Sequence, residues 1–397
     1  AAPFAILDAI YTAIRFNLTV DPTLNYPPLD AFWSVDNTSN TTEFDIDSGE
    51  LGGSFYIDSL DSLFIVGEDS ADTDEFDSHV VIHEWGHYLD DNFLRTESPA
   101  GTHALGDKLD PRLAFNEGWP TAFAAMALND PEYCDTGTPG TFSGFGINTE
   151  GGAFGGQGYY DEVSVIRFLY DLWDTTNEGT DTGSIGLQAI YDAFVGPFTD
   201  SRALATLFSY AAVLRPTLDA DGQALLDAQL GDEQVDASVL NIWGDNETND
   251  GNPPSGLDVL PVYVDIVADG STTNICSNSQ FDFGRDGNKL SENRFLRISV
   301  PVTDEYDVTV ATTTVTPVTP DPNDRDQSDP DIYIYSGKTL VASGISPAAN
   351  IETFRTTTLT AGLIYAAAVE DWRFDDDEAP SGYPERICMD VTFAPTP

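Results

Sequence analysis

The chain has 397 residues, enough for two domains with ordinary cores, and sets 67 Asp and Glu against 16 Lys and Arg for a formal charge of -51. That charge excludes nucleic acid and anionic membrane surfaces as partners, since both are held by basic residues. A hydrophobic fraction of 41% excludes a disordered acidic chain. Lysine is confined to Lys108, Lys289 and Lys338. Such a surface suits salty water, where ions screen its self-repulsion. No stretch approaches the length of a membrane-spanning helix.

In chain order, Phe4, Ile6, Leu7, Ile10, Ile14 and Phe16 form a helical stripe over residues 1–18. The chain opens inside that helix, so removal of an upstream segment on secretion is expected. Short β-like runs follow at 31–35, 53–57 and 63–66, separated by Asp and Gly. The acidic run Asp72 to Asp77 suits a helix N-terminus, and as a cluster of oxygen ligands it is also a candidate calcium site. Next comes Val80-Val81-Ile82-His83-Glu84-Trp85-Gly86-His87-Tyr88-Leu89. On a helix His83 and His87 share a face and can hold one metal ion, with Glu84 beside them as a general base. All four histidines of the chain, His79, His83, His87 and His103, fall in this one window.

Asp110-Pro111 predicts a capped helix running toward Ala127, with Pro120 inside it to bend it. Glu117 is an acid in an apolar part of that helix and is the best third metal ligand, because a metal would offset the cost of burying it. Residues 137–158 are glycine-rich and lead into Tyr159-Tyr160-Asp161-Glu162 and an amphipathic helix containing Val163 to Trp173. Further helices are expected over 185–194, 202–214 and 222–230. An Asn/Asp/Gly/Pro-rich linker covers 246–256. Beyond it the pattern turns to strands, which gives two parts, 1–252 and a β-sandwich over 257–397. All the chemistry lies in the first part, so a chain ending near Pro253 is expected to fold. Cys276 and Cys388 bracket the second part and predict a disulfide in an oxidising compartment, leaving Cys134 single.

These motifs resemble the thermolysin-like gluzincin metallopeptidases over residues 50–175. Ser54-Phe55-Tyr56 is similar to the edge strand that binds substrate. Leu63 to Glu68 is similar to the strand before the active-site helix. His83-Glu84-x-x-His87 matches the metal motif, and Asn116-Glu117 matches the third-ligand helix. The resemblance implies an α+β zincin catalytic domain, zinc as cofactor, and a protein or peptide as substrate. Two positions depart from the family. Thr121 stands where those enzymes have an Asp that orients a zinc histidine, which leaves Asp171, Asp90 or Asp91 for the task. No histidine follows His103, although the family places a transition-state donor after its glycine-rich loop. Tyr160 is the leading replacement, with His103 second and Tyr159 third.

Asp329-Pro330-Asp331-Ile332-Tyr333-Ile334-Tyr335, with Thr360 to Tyr365, resembles a bacterial pre-peptidase C-terminal domain. Its Asp329, Asp331 and Asp375 to Asp377 are further candidate calcium ligands. Together the two resemblances imply a secreted, monomeric zinc endopeptidase. The alternatives are a zinc exopeptidase and a non-enzymatic adhesion or binding protein with a structural metal site.

Overall fold

The computed structural model describes residues 2–40, 44–69, 72–137, 144–151, 156–176, 179, 181–248, 259–282, 286–315, 327–375 and 382–396. Helix α1 (Ala2–Asn17) leads into strands β1 (Asp30–Trp33), β2 (Phe55–Ile57) and β3 (Ser62–Ile65). They form a sheet in the order β1-β3-β2, with β1 parallel and β2 antiparallel to β3. In that sheet β2 is an edge, hydrogen-bonded on one side.

Helix α2 (Ser78–Phe93) carries the paired histidines, and α3 (Pro111–Leu128) carries Glu117. Asp110 caps α3 by accepting from the Arg112 N–H at 2.9 Å, and Pro111 takes the first turn. The helix continues through Pro120 as one element. Then comes a hairpin that the glycine-rich composition conceals: β4 (Glu132–Thr136) pairs with β5 (Gly144–Asn148). Helices α4 (Glu162–Trp173), α5 (Gly186–Ala193), α6 (Leu207–Leu214) and α7 (Ala220–Asp232) complete this part. Helix α6 starts later than its apolar run suggests. Thr206 and Ser209 form a reciprocal capping box there, which takes up the first orphan N–H groups.

The C-terminal part is a two-sheet β-sandwich. It contains β6 (Tyr263–Val267), β7 (Thr272–Asn278), β8 (Arg294–Ser299), β9 (Tyr306–Thr312) and β10 (Pro330–Ser336). It continues with β11 (Thr339–Gly344), β12 (Ile351–Arg355), β13 (Ile364–Asp371) and β14 (Arg386–Pro395). The sheets run β11-β10-β13-β8-β6 and β12-β9-β14-β7. Alternation on β14 sends Ile387, Met389, Val391 and Phe393 inward to complete burial. Cys276 and Cys388 sit opposite one another on β7 and β14 and form a disulfide, while Cys134 on β4 is an exposed free thiol.

The core does not follow the split after residue 252. Tyr263, Phe295, Ala366 and Ala368, from the outer face of the larger sheet, join the core of the helical part. The Arg112 guanidinium lies 5.0 Å from the Phe295 ring centroid, and the Leu204 N–H donates to Tyr263 Oη at 2.9 Å. Arg95 reaches the Gly337 carbonyl at 3.3 Å. A chain ending near Pro253 would uncover this face, at about 1.5–3 kcal/mol for each large apolar side chain. Such a chain is therefore expected to melt lower than the full chain, which thermal unfolding of the two would check. Residues 249–256 of the expected linker lie outside the described residues.

Candidate metal centre

The metal motif is aimed by how α2 packs. Val81, Ile82, Trp85 and Leu89 face the core at no more than 1% exposure. With 3.6 residues per turn, that leaves His83 and His87 on the side facing α3. Two glycines let the helices close in. A Cβ on Gly86 would stand 2.7 Å from Pro120 Cβ, and one on Gly118 would stand 2.5 Å from Val165 Cβ. Helix α3 is thus gripped between α2 and α4 through two contacts that exclude any side chain. This approach carries Glu117 onto the histidines.

His83 Nε2 and His87 Nε2 lie 3.3 and 3.4 Å from Glu117 Oε2, and 3.1 Å from each other. Donors about 2.0–2.1 Å from a tetrahedral zinc are separated by roughly 3.3 Å. Three edges of that length, with two imidazole nitrogens and a carboxylate oxygen as donors, fit zinc with a fourth position left open. Burial alone would raise the Glu117 carboxyl, but His87, His83 and His103 hold it well below the usual carboxylate range. His87 is disfavoured as a cation by burial, yet Glu117 lifts it to about 9. The cluster calls for positive charge among its donor atoms, which a divalent ion supplies.

The ring nitrogen of His83 away from that centre, Nδ1, lies 2.8 Å from Thr121 Oγ1. Thr121 thereby fixes the orientation of the His83 ring, without the charge an Asp would bring. Asp90 is buried, takes the Asn116 amide at 3.2 Å and acts on His87 through its charge. Asp91 instead accepts from the Tyr56 hydroxyl at 3.0 Å, and Asp171 acts on Arg167. Glu84 is buried on the same helix. Burial pushes its carboxyl up, while His83, His87 and a backbone hydrogen bond from Tyr56 pull it back.

The centre opens into a cleft of about 1440 Å³. Single small-molecule sites occupy about 300–1,000 Å³, so the space suits an extended chain better. Ser54, Phe55 and Tyr56 form one wall. The Ser54 side chain is occupied: its hydroxyl donates to Asp74 Oδ2 at 2.5 Å and accepts from the Val66 N–H at 3.0 Å. Phe55 and Tyr56 of the β2 edge line the cleft beside it.

His103 and Glu162 also line the cleft. His103 Nε2 lies 3.6 Å from Glu117 Oε2 and 3.5 Å from Glu162 Oε2. Its loop is held from the β-sandwich side: Asn288 Nδ2 donates to the carbonyls of Ala100 and Thr102 at 2.9 and 3.1 Å, and Lys289 Nζ donates to Thr102 O at 3.0 Å. Tyr160 is not among the residues lining the cleft. Its ring covers Gly158 and takes the Lys108 ammonium at 5.8 Å. Tyr159 is buried, and its hydroxyl donates to the Thr248 carbonyl at 2.7 Å. Of the three sequence candidates, His103 is the one that lines the cleft.

The family model of the mycolysin C-terminal domain matches residues 30–230, just over half of the 397-residue chain. The chain belongs to that family. The match spans β1 to α7 and so includes the whole candidate centre of this mycolysin-family chain. No curated protein matches it. Among solved structures it is similar to the pre-peptidase C-terminal domain of collagenase from Bacillus anthracis, at 10% identity and a TM-score of 0.22, covering 33% of this chain and 93% of that one. A likeness that weak bears on neither fold nor function.

Tyr133 lines the cleft opposite His83 and carried no sequence signal, because it sits on the unforeseen hairpin. Burial, then the charge of Glu84, push its phenol well up, so it stays protonated and able to donate. Glu162 was visible only as a helix-opening acid. An apolar hollow of about 410 Å³ lies beneath α1, but no His, Cys, Asp or Glu lines it. Among the described residues, no helix is long and apolar enough to cross a membrane.

Proposed function

We propose that this mycolysin-family chain is a secreted zinc endopeptidase of zincin fold, with His83, His87 and Glu117 as ligands. The observation that carries this reading is the convergence of three ligand atoms at zinc-like separations, beside Glu84 and an unpaired strand edge. When bound, zinc lowers the pKa of water toward neutral and polarises a carbonyl. Glu84 takes the proton of the attacking water and delivers it to the departing amine. The edge of β2 holds the substrate extended by β-augmentation. His103 donates to the carbonyl oxygen as charge builds there. Asn288 and Lys289 keep its loop in place.

The direct test is cleavage of an internally quenched peptide. Activity should vanish on chelation and return with one equivalent of zinc; chelator-resistant cleavage would sink the zinc reading. His103→Ala should lower kcat by about 10²–10³ at unchanged zinc content, the range for one oxyanion donor. Tyr160→Phe should leave kcat near wild type. An inactive Tyr160→Phe beside an active His103→Ala would reverse the assignment.

Glu162 gives some support to the exopeptidase reading, since it is a buried acid within reach of the centre and could hold a free amino terminus. Burial raises its carboxyl to about 7, with His103 pulling it back. Faster turnover of an aminoacyl dye than of a quenched internal peptide would favour that reading.

A further inference from the structure

A second group of ligand-type side chains borders the same cleft, which Asp72, Asp74 and Asp135 line. Asp72, Asp74 and Asp77 come from the loop and the turn that precede α2, and Asp135 comes from β4 across from them. Each offers one carboxylate oxygen, and all four oxygens lie within 4.8 Å of one another. In a chain this acidic, that convergence alone means little. Asp74 gives it weight. Asp74 is only 3% exposed, and while Oδ2 accepts from Ser54, Oδ1 is buried with no hydrogen-bond partner. The leading charges acting on Asp74 are Asp72 and Asp135, both of like sign. Among the described residues, no ion pair involves any of the four. Burying such an oxygen without a partner is costly, and a cation removes the cost.

We infer that Asp72, Asp74, Asp77 and Asp135 hold one hard divalent cation of the calcium class. The donors are all oxygen, which disfavours zinc and copper. Oxygens around calcium sit at about 2.3–2.6 Å, so its ligands lie no farther apart than roughly 5 Å, the spread found here. Magnesium demands an octahedron at about 2.0–2.1 Å and gives up water reluctantly, which suits this partly buried pocket less well.

The ion joins three walls of the cleft. Asp77 stands at the N-cap position of α2 without bonding its N–H groups, and its Oδ2 instead takes both the N–H and the hydroxyl of Thr136 on β4, at 2.8 and 2.7 Å. Asp74 holds Ser54, which in turn receives the N–H of Val66, the residue that follows β3. Calcium at this point ties the β4–β5 hairpin and the substrate edge to the N-terminus of the active-site helix. The site does not depend on the proposed peptidase chemistry.

The experiment compares zinc-loaded wild type with Asp74→Asn and Asp135→Asn, full chain in each case, in added salt to suppress loose surface binding. Calcium equivalents are counted by equilibrium dialysis, and melting is followed with and without calcium. The variants should bind one calcium fewer than wild type at the same zinc content. Wild type should melt higher with calcium, and the variants should lose that rise. Without calcium each variant should melt at or above wild type, because one of four crowded negative charges is gone. Hydrogen exchange at 132–136 and 144–148 should quicken in wild type when calcium is withheld. Equal calcium counts and equal calcium-dependent melting in wild type and variants would overturn the site. Saturation by magnesium with no response to calcium would overturn the assignment of the ion. Since binding and melting are read apart from turnover, an inactive but calcium-binding chain would count only against the peptidase reading.

Discussion

Glu84→Gln is expected to fold, to keep its zinc, and to lose peptide hydrolysis by about 10²–10⁴ or more in kcat, the contribution of a general base. The amide has the shape of the carboxylate but cannot accept a proton. Glu84 is buried and is not one of the three converging donors, so the exchange leaves the ligand distances alone. It also removes a buried charge, so melting should not fall. Metal analysis, melting and turnover of a quenched peptide are the three measurements. A Glu84→Gln chain with near-normal kcat would remove Glu84 from the reaction and leave the centre as a structural metal site, the adhesion-protein alternative.

Glu117→Ala is expected to cost more than activity. Both His83 and His87 approach Glu117 Oε2, at 3.3 and 3.4 Å. Removing a partner that merely supports a ligand costs about 10–100-fold in metal affinity. Removing a ligand should exceed that, and zinc should be lost on dialysis. His103 provides the informative exception. It stands 3.6 Å from the same oxygen and could swing in as a substitute ligand. Full zinc occupancy in Glu117→Ala would therefore sink the gluzincin ligand set, and loss of that zinc in Glu117→Ala/His103→Ala would identify the replacement. Equilibrium dialysis against competing chelators reads both variants.

The structure also bears on how the two parts of the chain depend on each other. Sequence composition marks a linker and a change from helix to strand, which reads as two separable units. The buried contacts of Arg112 with Phe295 and of Leu204 with Tyr263 cross that division, as do the hydrogen bonds that hold the His103 loop. None of these has a local signature, because an arginine or a lysine in a loop reads the same whether it faces solvent or a neighbouring sheet.

By itself the sequence determined what a single helix or strand determines. The i, i+4 spacing of His83 and His87 with Glu84 beside them follows from helix geometry. The cap at Asp110-Pro111 is likewise a property of a few adjacent residues. Tertiary structure decided everything that requires two segments to meet. It brought Glu117 to the histidines through side-chain-free contacts at Gly86 and Gly118, and it paired Thr121 with His83. It set His103 in the cleft and turned Tyr160 toward Lys108. It folded part of a glycine-rich stretch into the β4–β5 hairpin and thereby delivered Asp135 to Asp72, Asp74 and Asp77. The physical reason is one of range. Backbone geometry relates residues a few positions apart, whereas distances across tens of residues are fixed only by how closely helices and sheets pack.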